Sequence, residues 1–336
     1  MSGAAVLAGL GTFVPPRVVT NDELSLTLDT SDEWIRTRTG ITQRHWADPG
    51  TATGDLAVEA GRRALAAAGT DTVDLVVLAT TTPDHPCPAT APEVAARLGL
   101  PHVAAFDLAA VCSGFVYALA TAAGAIAAGT ATRVLVIGAE TYSSILDPED
   151  RTTSVIFGDG AGAVVLRAGE PDEPGALLAH DLGSDGSLKD LIIVPGGGSR
   201  QPPAGAEKPG PRPADSYFQM QGRPVFRHAV TRMAASSQAV LDRAGWSADS
   251  VGRFVGHQAN VRILHAVADQ LGMARDRVVV NLDRVGNTSA ASIPLALAHA
   301  VTEGLVAPGD QVLLSAFGGG VTWGSTALVW PDVPVH

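Results

Sequence analysis

Residues 106–128 read FDLAAVCSGFVYALATAAGAIAA. Phe106 to Leu108 is strand-like, and from Cys112 to Ala128 the residues suit a long helix. A strand passing into a helix within a few residues is the unit from which α/β folds are assembled. No charge occurs from Leu108 to Thr132, and on length alone that run could cross a bilayer. Its residues are mostly Ala, Gly, Ser and Thr. A helix that is apolar all round but made of small residues suits a place enclosed by other elements of a soluble protein.

The same alternation continues outward. Asp74 to Thr80 (DLVVLAT) is an apolar run suited to a strand buried on both faces, and so is Arg133 to Gly138 (RVLVIG). Pro92 to Leu98 reads as a short helix stopped by Gly99. The second half repeats this order. A short apolar run begins at Arg253 to Val255, and Val261 to Leu271 has helical periodicity ending at Gly272. Val278 to Leu282 reads as a strand, Thr288 to Val301 as a second helix of small residues, and Gln311 to Leu314 as a strand. ARLGL at 96–100 resembles DQLGM at 269–273. An internal duplication explains the repetition and predicts that the two small-residue helices start near a shared centre. The expected division is 1–170, a connecting region 171–216, and 217–336. Within the connection, five Gly and six Pro occur among the twenty positions Pro195 to Ala214, which reads as a linker or a lid.

Composition narrows the function classes. The 336 residues carry 34 Asp and Glu against 23 Lys and Arg, a net charge of −11, with 46% hydrophobic residues. That much apolar surface excludes an intrinsically disordered chain, and the acidic balance argues against a nucleic-acid binder. Two cysteines, Cys87 and Cys112, make no disulfide framework and fit a reducing cytoplasm. The N-terminal run lacks a preceding basic residue and soon meets Pro15 and Pro16, unlike a secretory signal.

Three residues stand where chemistry is expected. Cys112 lies where a strand meets a helix, so the helix dipole and free backbone N–H groups favour its thiolate. Its plain alternative is an ordinary buried thiol. His257, in VGHQAN, follows the short run of the second half, and Asn287, in RVGNTSAAS, precedes the second small-residue helix. Strand ends and helix starts are the usual location of sites in α/β folds. The glycine clusters FGDGAGAVVL (157–166) and FGGGVTWG (317–324) match neither a P-loop nor a dinucleotide fingerprint. The first suits close backbone packing, while N–H groups of the second suit stabilisation of a substrate oxyanion.

In combination, DTSDEWIRTRTGI (29–41), AFDLAAVCSGF (105–115), FGDGAGAVVL (157–166), GHQANVRI (256–263), GNTSAASIPLAL (286–297) and AFGGGVTWGSTAL (316–328) resemble the β-ketoacyl-acyl carrier protein synthase III family of the thiolase superfamily, along nearly the whole chain. The resemblance implies a duplicated five-layered αβαβα fold and a homodimer. It implies no metal or other cofactor, only acyl-CoA and malonyl-acyl carrier protein as substrates. Cys112 would be the acyl-accepting nucleophile. His257 and Asn287 would bind the malonyl thioester and promote loss of CO2, and N–H groups of Cys112 and Gly319 would form the oxyanion hole. Trp34, Arg38, Arg151, Gly222 and Asn260 resemble the CoA-binding set. Arg262 resembles a residue of the carrier-protein docking surface, with Arg223, Arg227 and Arg253 as candidate contributors. The acyl pocket would involve Cys87, Tyr142, Phe157 and Phe317.

One departure bears on substrate. Cys87, in DHPCPAT, occupies the position resembling the family's aromatic gate, which is contributed across the dimer. The smaller side chain predicts a primer longer or more branched than acetyl, whereas Tyr142 fills part of the same space. Two other functions compete with condensation. One is acyl transfer from Cys112 to an alcohol, amine or carrier thiol without loss of CO2, and the other a silent partner of carrier protein.

Overall fold

The structure, a computed structural model, describes residues 3–200 and 213–336. Most of the Gly/Pro-rich stretch, and with it the reading as a lid, lies outside the described residues. In chain order come β1 (Ala4–Phe13), β2 (Val18–Thr20), α1 (Asn21–Ser25), α2 (Asp32–Thr39), β3 (Gln43–His45), α3 (Thr53–Ala67), β4 (Leu75–Ala79), α4 (Ala91–Arg97), β5 (Ala104–Leu108), α5 (Gly114–Ala127), β6 (Arg133–Glu140) and β7 (Gly160–Gly169). Then follow β8 (Leu177–Ser184), β9 (Ile192–Ile193), β10 (Gln219–Met220), α6 (Gly222–Ala244), β11 (Arg253–Gly256), α7 (Val261–Leu271), α8 (Leu282–Val285), α9 (Ser292–Thr302), β12 (Gln311–Gly318) and β13 (Thr322–Val329).

Two mixed sheets form the frame, ordered β1-β7-β6-β4-β5 and β11-β12-β13-β8. Strand side chains alternate between faces, so the apolar runs feed two cores at once. In β4, Leu75, Val77 and Ala79 pack inward against α5 and α9, while Val76 and Leu78 pack outward under α3 and α4. In β12, Val312, Leu314 and Ala316 face the same central helices, and Leu313 and Phe317 face α6 and α7. The layers are therefore helices, sheet, α5 with α9, sheet, helices: the duplicated αβαβα arrangement of the thiolase fold. The two small-residue helices occupy the middle, where little room is left between sheets. Gly162 of β7 shows how little, since a Cβ there would stand 2.6 Å from Cβ of Pro294 in α9. FGDGAGAVVL is thus a close-packing segment, as its composition predicts.

Several boundaries differ from the sequence reading. The helix expected from Cys112 begins with a 3-10 turn, Val111–Ser113, before α5; the one expected from Thr288 begins with a 3-10 turn, Ser289–Ala291, before α9. Each turn opens on a residue with positive φ, Val111 at +48° and Ser289 at +49°. The strand expected at Val278 to Leu282 is a single bridge between Val278 and Phe254, and Leu282 already belongs to α8. Side chains account for the difference: Gln258 donates to the Val279 carbonyl and accepts from Asn281 N–H, occupying groups that a ladder would need. The strand expected at Gln311 to Leu314 runs on to Gly318. The region expected to connect the halves contributes β8, which pairs with β13 and completes the second sheet.

Candidate active site

β5 ends at Leu108, and the chain turns so that Cys112 lies buried just ahead of α5. Strand β12 crosses directly over this turn. A Cβ on Gly318 would come within 2.8 Å of the Cys112 nitrogen, so only glycine allows the approach. His257 follows β11 and its backbone N–H donates to Ser315 of β12. Its Nδ1 stands 2.6 Å from the Ser292 hydroxyl at the start of α9. Asn287 is held at both backbone groups, donating to Ile156 and accepting from Gly158. Its side-chain Oδ1 accepts from the Ser289 N–H at 2.9 Å, which leaves the amide NH2 to donate elsewhere. Cys112, His257 and Asn287 line one pocket of about 430 Å³.

The electrostatics correct the expectation of a ready thiolate. Burial pushes the Cys112 thiol up to about 12, and the nearby Glu140 carboxylate pushes the same way. The nearby Ser289 hydroxyl and the backbone N–H of the turn oppose this and lose. The turn geometry thus supplies the favourable interactions that its position predicts, but desolvation outweighs them and the resting thiol is protonated. Burial also holds His257 down to about 3. It is a neutral imidazole at physiological pH, a hydrogen-bonding group rather than a cation. In the tautomer where Ser292 donates to Nδ1, the ring proton sits on Nε2, free to donate into the pocket.

The rest of the pocket is apolar. Tyr142 stacks on Phe157 with centroids 4.3 Å apart, and Phe218 meets both rings edge-on at 5.2 and 5.0 Å. Phe317 lines the same space, so three of the four residues expected in the acyl pocket come together. Cys87 does not join them: it is exposed on a loop, away from its own chain's pocket. Phe218, Met220 and Ile192 also line the pocket and were not found from sequence. They flank the Gly/Pro-rich stretch in short ribbon segments where no periodicity marks them. Gly319, expected in the oxyanion hole, lines an adjacent cleft with Ala110, Val111 and Thr322.

On the surface, α2 carries the half-buried Trp34, with the guanidinium carbons of Arg38 and Arg151 at 5.4 and 5.7 Å from its ring. Arg151 also donates to the backbone and carboxylate of Asp29. Asn260 caps α7, accepting from Arg262 N–H and donating to the Arg38 carbonyl, so it ties the Trp34 helix to the loop after His257. Gly222 opens α6 and is exposed. Arg223, Arg227 and Arg262 are exposed near one another, Arg262 lying over Phe226 of α6. Arg253 is apart from them. It starts β11, at the end away from His257, half-buried and donating to the Gly252 carbonyl.

Comparison with known proteins agrees with this arrangement. Residues 106–186 match the family model for 3-oxoacyl-[acyl-carrier-protein] synthase III, and residues 241–330 match the model for the C-terminal part of that enzyme. The chain is 74% identical to β-ketoacyl-[acyl-carrier-protein] synthase III 5 of Streptomyces coelicolor, over 99% of each. Among solved structures, it resembles the 3-oxoacyl-(acyl carrier protein) synthase III of Pseudomonas aeruginosa at 52% identity and a TM-score of 0.92, covering 98% of this chain and 99% of that one. A priming β-ketosynthase from a polyketide biosynthetic pathway is 35% identical with a TM-score of 0.90, covering 99% and 98%.

Proposed function

The chain belongs to the 3-oxoacyl-[acyl-carrier-protein] synthase III family of condensing acyltransferases, and from that premise we propose how its own residues carry out an acyl-CoA-primed decarboxylative condensation with malonyl-acyl carrier protein. The observation that carries the proposal is the meeting of Cys112, His257 and Asn287 in one apolar pocket. Cys112 attacks the acyl-CoA thioester and keeps the acyl group while CoA leaves. His257 Nε2 and the free NH2 of Asn287 then donate to the malonyl thioester oxygen. As CO2 departs, negative charge gathers on that oxygen, where two neutral donors in a dry site stabilise it strongly. The carbanion attacks the acyl-Cys112 carbonyl, the N–H groups of Cys112 and Gly319 hold the new oxyanion, and the 3-oxoacyl thioester leaves on carrier protein.

The CoA nucleotide is assigned to Trp34 with Arg38 and Arg151, and the pantetheine arm to Gly222 and Asn260. A π-face flanked by two cations suits adenine beside phosphates. Arg262, with Arg223 and Arg227, offers a local basic face to an acidic carrier protein, against a net charge of −11. We further propose a cytoplasmic homodimer with halves 1–170 and 217–336 joined by 171–216. In it, Cys87 reaches only the acyl pocket of a second copy. No described helix is long and apolar enough to cross a membrane.

Incubation with mixed acyl-CoAs, followed by intact-mass measurement, tests the first step, with Cys112→Ala as control. Adding malonyl-acyl carrier protein tests the second: CO2 release and a 3-oxoacyl product are expected. Acyl transfer without CO2 would establish the other acyltransferase reading, and a Cys112 that takes no acyl group would establish the silent partner. The same panel reads primer size, with Tyr142 opposing and Cys87 favouring a long or branched chain.

A further inference from the structure

Among the buried ionisable groups that the condensation scheme does not use, Glu140 lies beside the site. Glu140, the last residue of β6, has no exposed surface and points at the turn that carries Ser289. Its Oε2 accepts from the Thr81 N–H at 3.0 Å, the Thr82 hydroxyl at 2.8 Å and, more weakly, the Thr80 hydroxyl at 3.4 Å. Its Oε1 accepts from the Ser289 hydroxyl at 3.0 Å. The Ser289 hydroxyl is also among the groups that act on the Cys112 thiol. The 3-10 turns of Cys112 and Ser289 pack against each other, and β6 packs on the Ser289 turn. Thiol, hydroxyl and carboxylate therefore sit in one buried cluster drawn from both halves of the molecule.

We propose that Glu140, acting through Ser289, takes up the Cys112 thiol proton during acylation and returns it when the acyl group leaves. In the forward step the S–H proton moves to Ser289 Oγ while the Ser289 proton moves to Glu140 Oε1. The result is a thiolate and a neutral carboxylic acid, with no net change of charge in the pocket. The thiolate forms its bond to the acyl carbon, the bond to CoA sulfur breaks, and the CoA thiolate leaves with its charge. When the carbanion later displaces Cys112, the thiolate recovers its proton from Glu140 by the same path. Ser289 is thus a positioning residue, and Glu140 acts through it.

A purely structural tie among these hydroxyls would not need a carboxylate, since a neutral amide fills the position without burying a charge. Burial raises the Glu140 carboxyl to about 7, so it exchanges a proton at working pH. The ionisable groups that feel it are the Cys112 thiol and the Tyr142 phenol; on the threonine side, Asp107 and Lys189 line the cleft beside Thr80 and Thr81, and Asp84 accepts from the Gly54 N–H. Because a thiolate and a carboxylate so close together repel each other, the pair favours holding one charge between them.

The inference rests on acylation of Cys112, and its test separates the two. Single-turnover acylation by acyl-CoA is followed by rapid quench and intact mass across pH. Wild type is expected to show a rate that falls as pH drops through about 7, where Glu140 becomes protonated and cannot accept. Glu140→Gln is expected to slow acylation by about 10²-fold with KM for acyl-CoA unchanged and the acid limb gone. Ser289→Ala should act in the same direction, and Glu140→Asp should restore part of the rate together with the limb. A wild-type profile without the limb overturns the proposal whatever the variants do. So does a Glu140→Gln protein that acylates at the wild-type rate. A wild-type Cys112 that takes no acyl group would instead overturn the function proposed above.

Discussion

The turn before α5 and the turn before α9 are built alike and do different work. Both are three-residue 3-10 turns with a residue at φ near +50° at their start, followed by a helix of small apolar residues. Each is pressed against a glycine of the other half. Gly318 of β12 lies on Cys112, and Gly138 of β6 lies on Ala290, whose carbonyl oxygen would stand 2.3 Å from an added Cβ. Yet the second position of one turn is the thiol Cys112, and that of the other is Ala290, buried and inert. The second turn instead offers Ser289 sideways to Asn287 and Glu140. A shared backbone device thus places the thiol of the proposed nucleophile in one half, and in the other a serine that bonds to Asn287 and Glu140.

The strongest way to break this comparison is to move the thiol. Cys112→Ala is expected to lower condensation by about 10³-fold or more, read as CO2 release. Adding Ala290→Cys to that variant should restore nothing, because the second turn faces packed backbone. Acylation at position 290 in an intact-mass experiment on the double variant would mean that the turns are interchangeable. Next in size are His257→Ala and Asn287→Ala, each expected to slow decarboxylation by roughly 10²–10³-fold while Cys112 still accepts an acyl group. Loss of acylation in both would put the trio in a single step instead of dividing it between two.

The packing half of the comparison predicts smaller effects. Gly138→Ala and Gly318→Ala are each expected to cost about 1–3 kcal/mol of unfolding free energy by overpacking. Gly138 should be the worse, since its obstacle is a carbonyl oxygen at closer range. Denaturant titration measures both. The least effect belongs to the left-handed residues: Val111→Gly should relieve about 1 kcal/mol of backbone strain, visible as a small rise in the denaturation midpoint.

Much of this was legible in the letters because burial leaves periodic marks. The apolar runs at 75–79 and 133–140 are strands, and Val261–Leu271 is a helix stopped by Gly272 at φ +71°. Cys112, His257 and Asn287 stood out by their position at element ends, and the pocket that unites them bears out the expectation that the two helix starts meet. Val278 to Leu282 misled because Gln258, distant in sequence, takes the backbone groups that its strand pattern promises to a ladder. Phe218 and Met220 were invisible because ribbon residues beside a Gly/Pro-rich stretch carry no pattern of their own.

What the sequence by itself determined is the alternation of strands and helices, the duplication and the chemistry available at three positions. All of these depend on residue type and local spacing. Only the tertiary structure decided the protonation of that chemistry. Position before a helix predicts a thiolate at Cys112, but the free energy of a charge depends on everything around it in three dimensions. There, desolvation by both halves outweighs the local dipole. Glu140 became part of the site for the same reason: its neighbours Thr82, Ser289 and Cys112 are far from it along the chain and adjacent only once the sheets are packed.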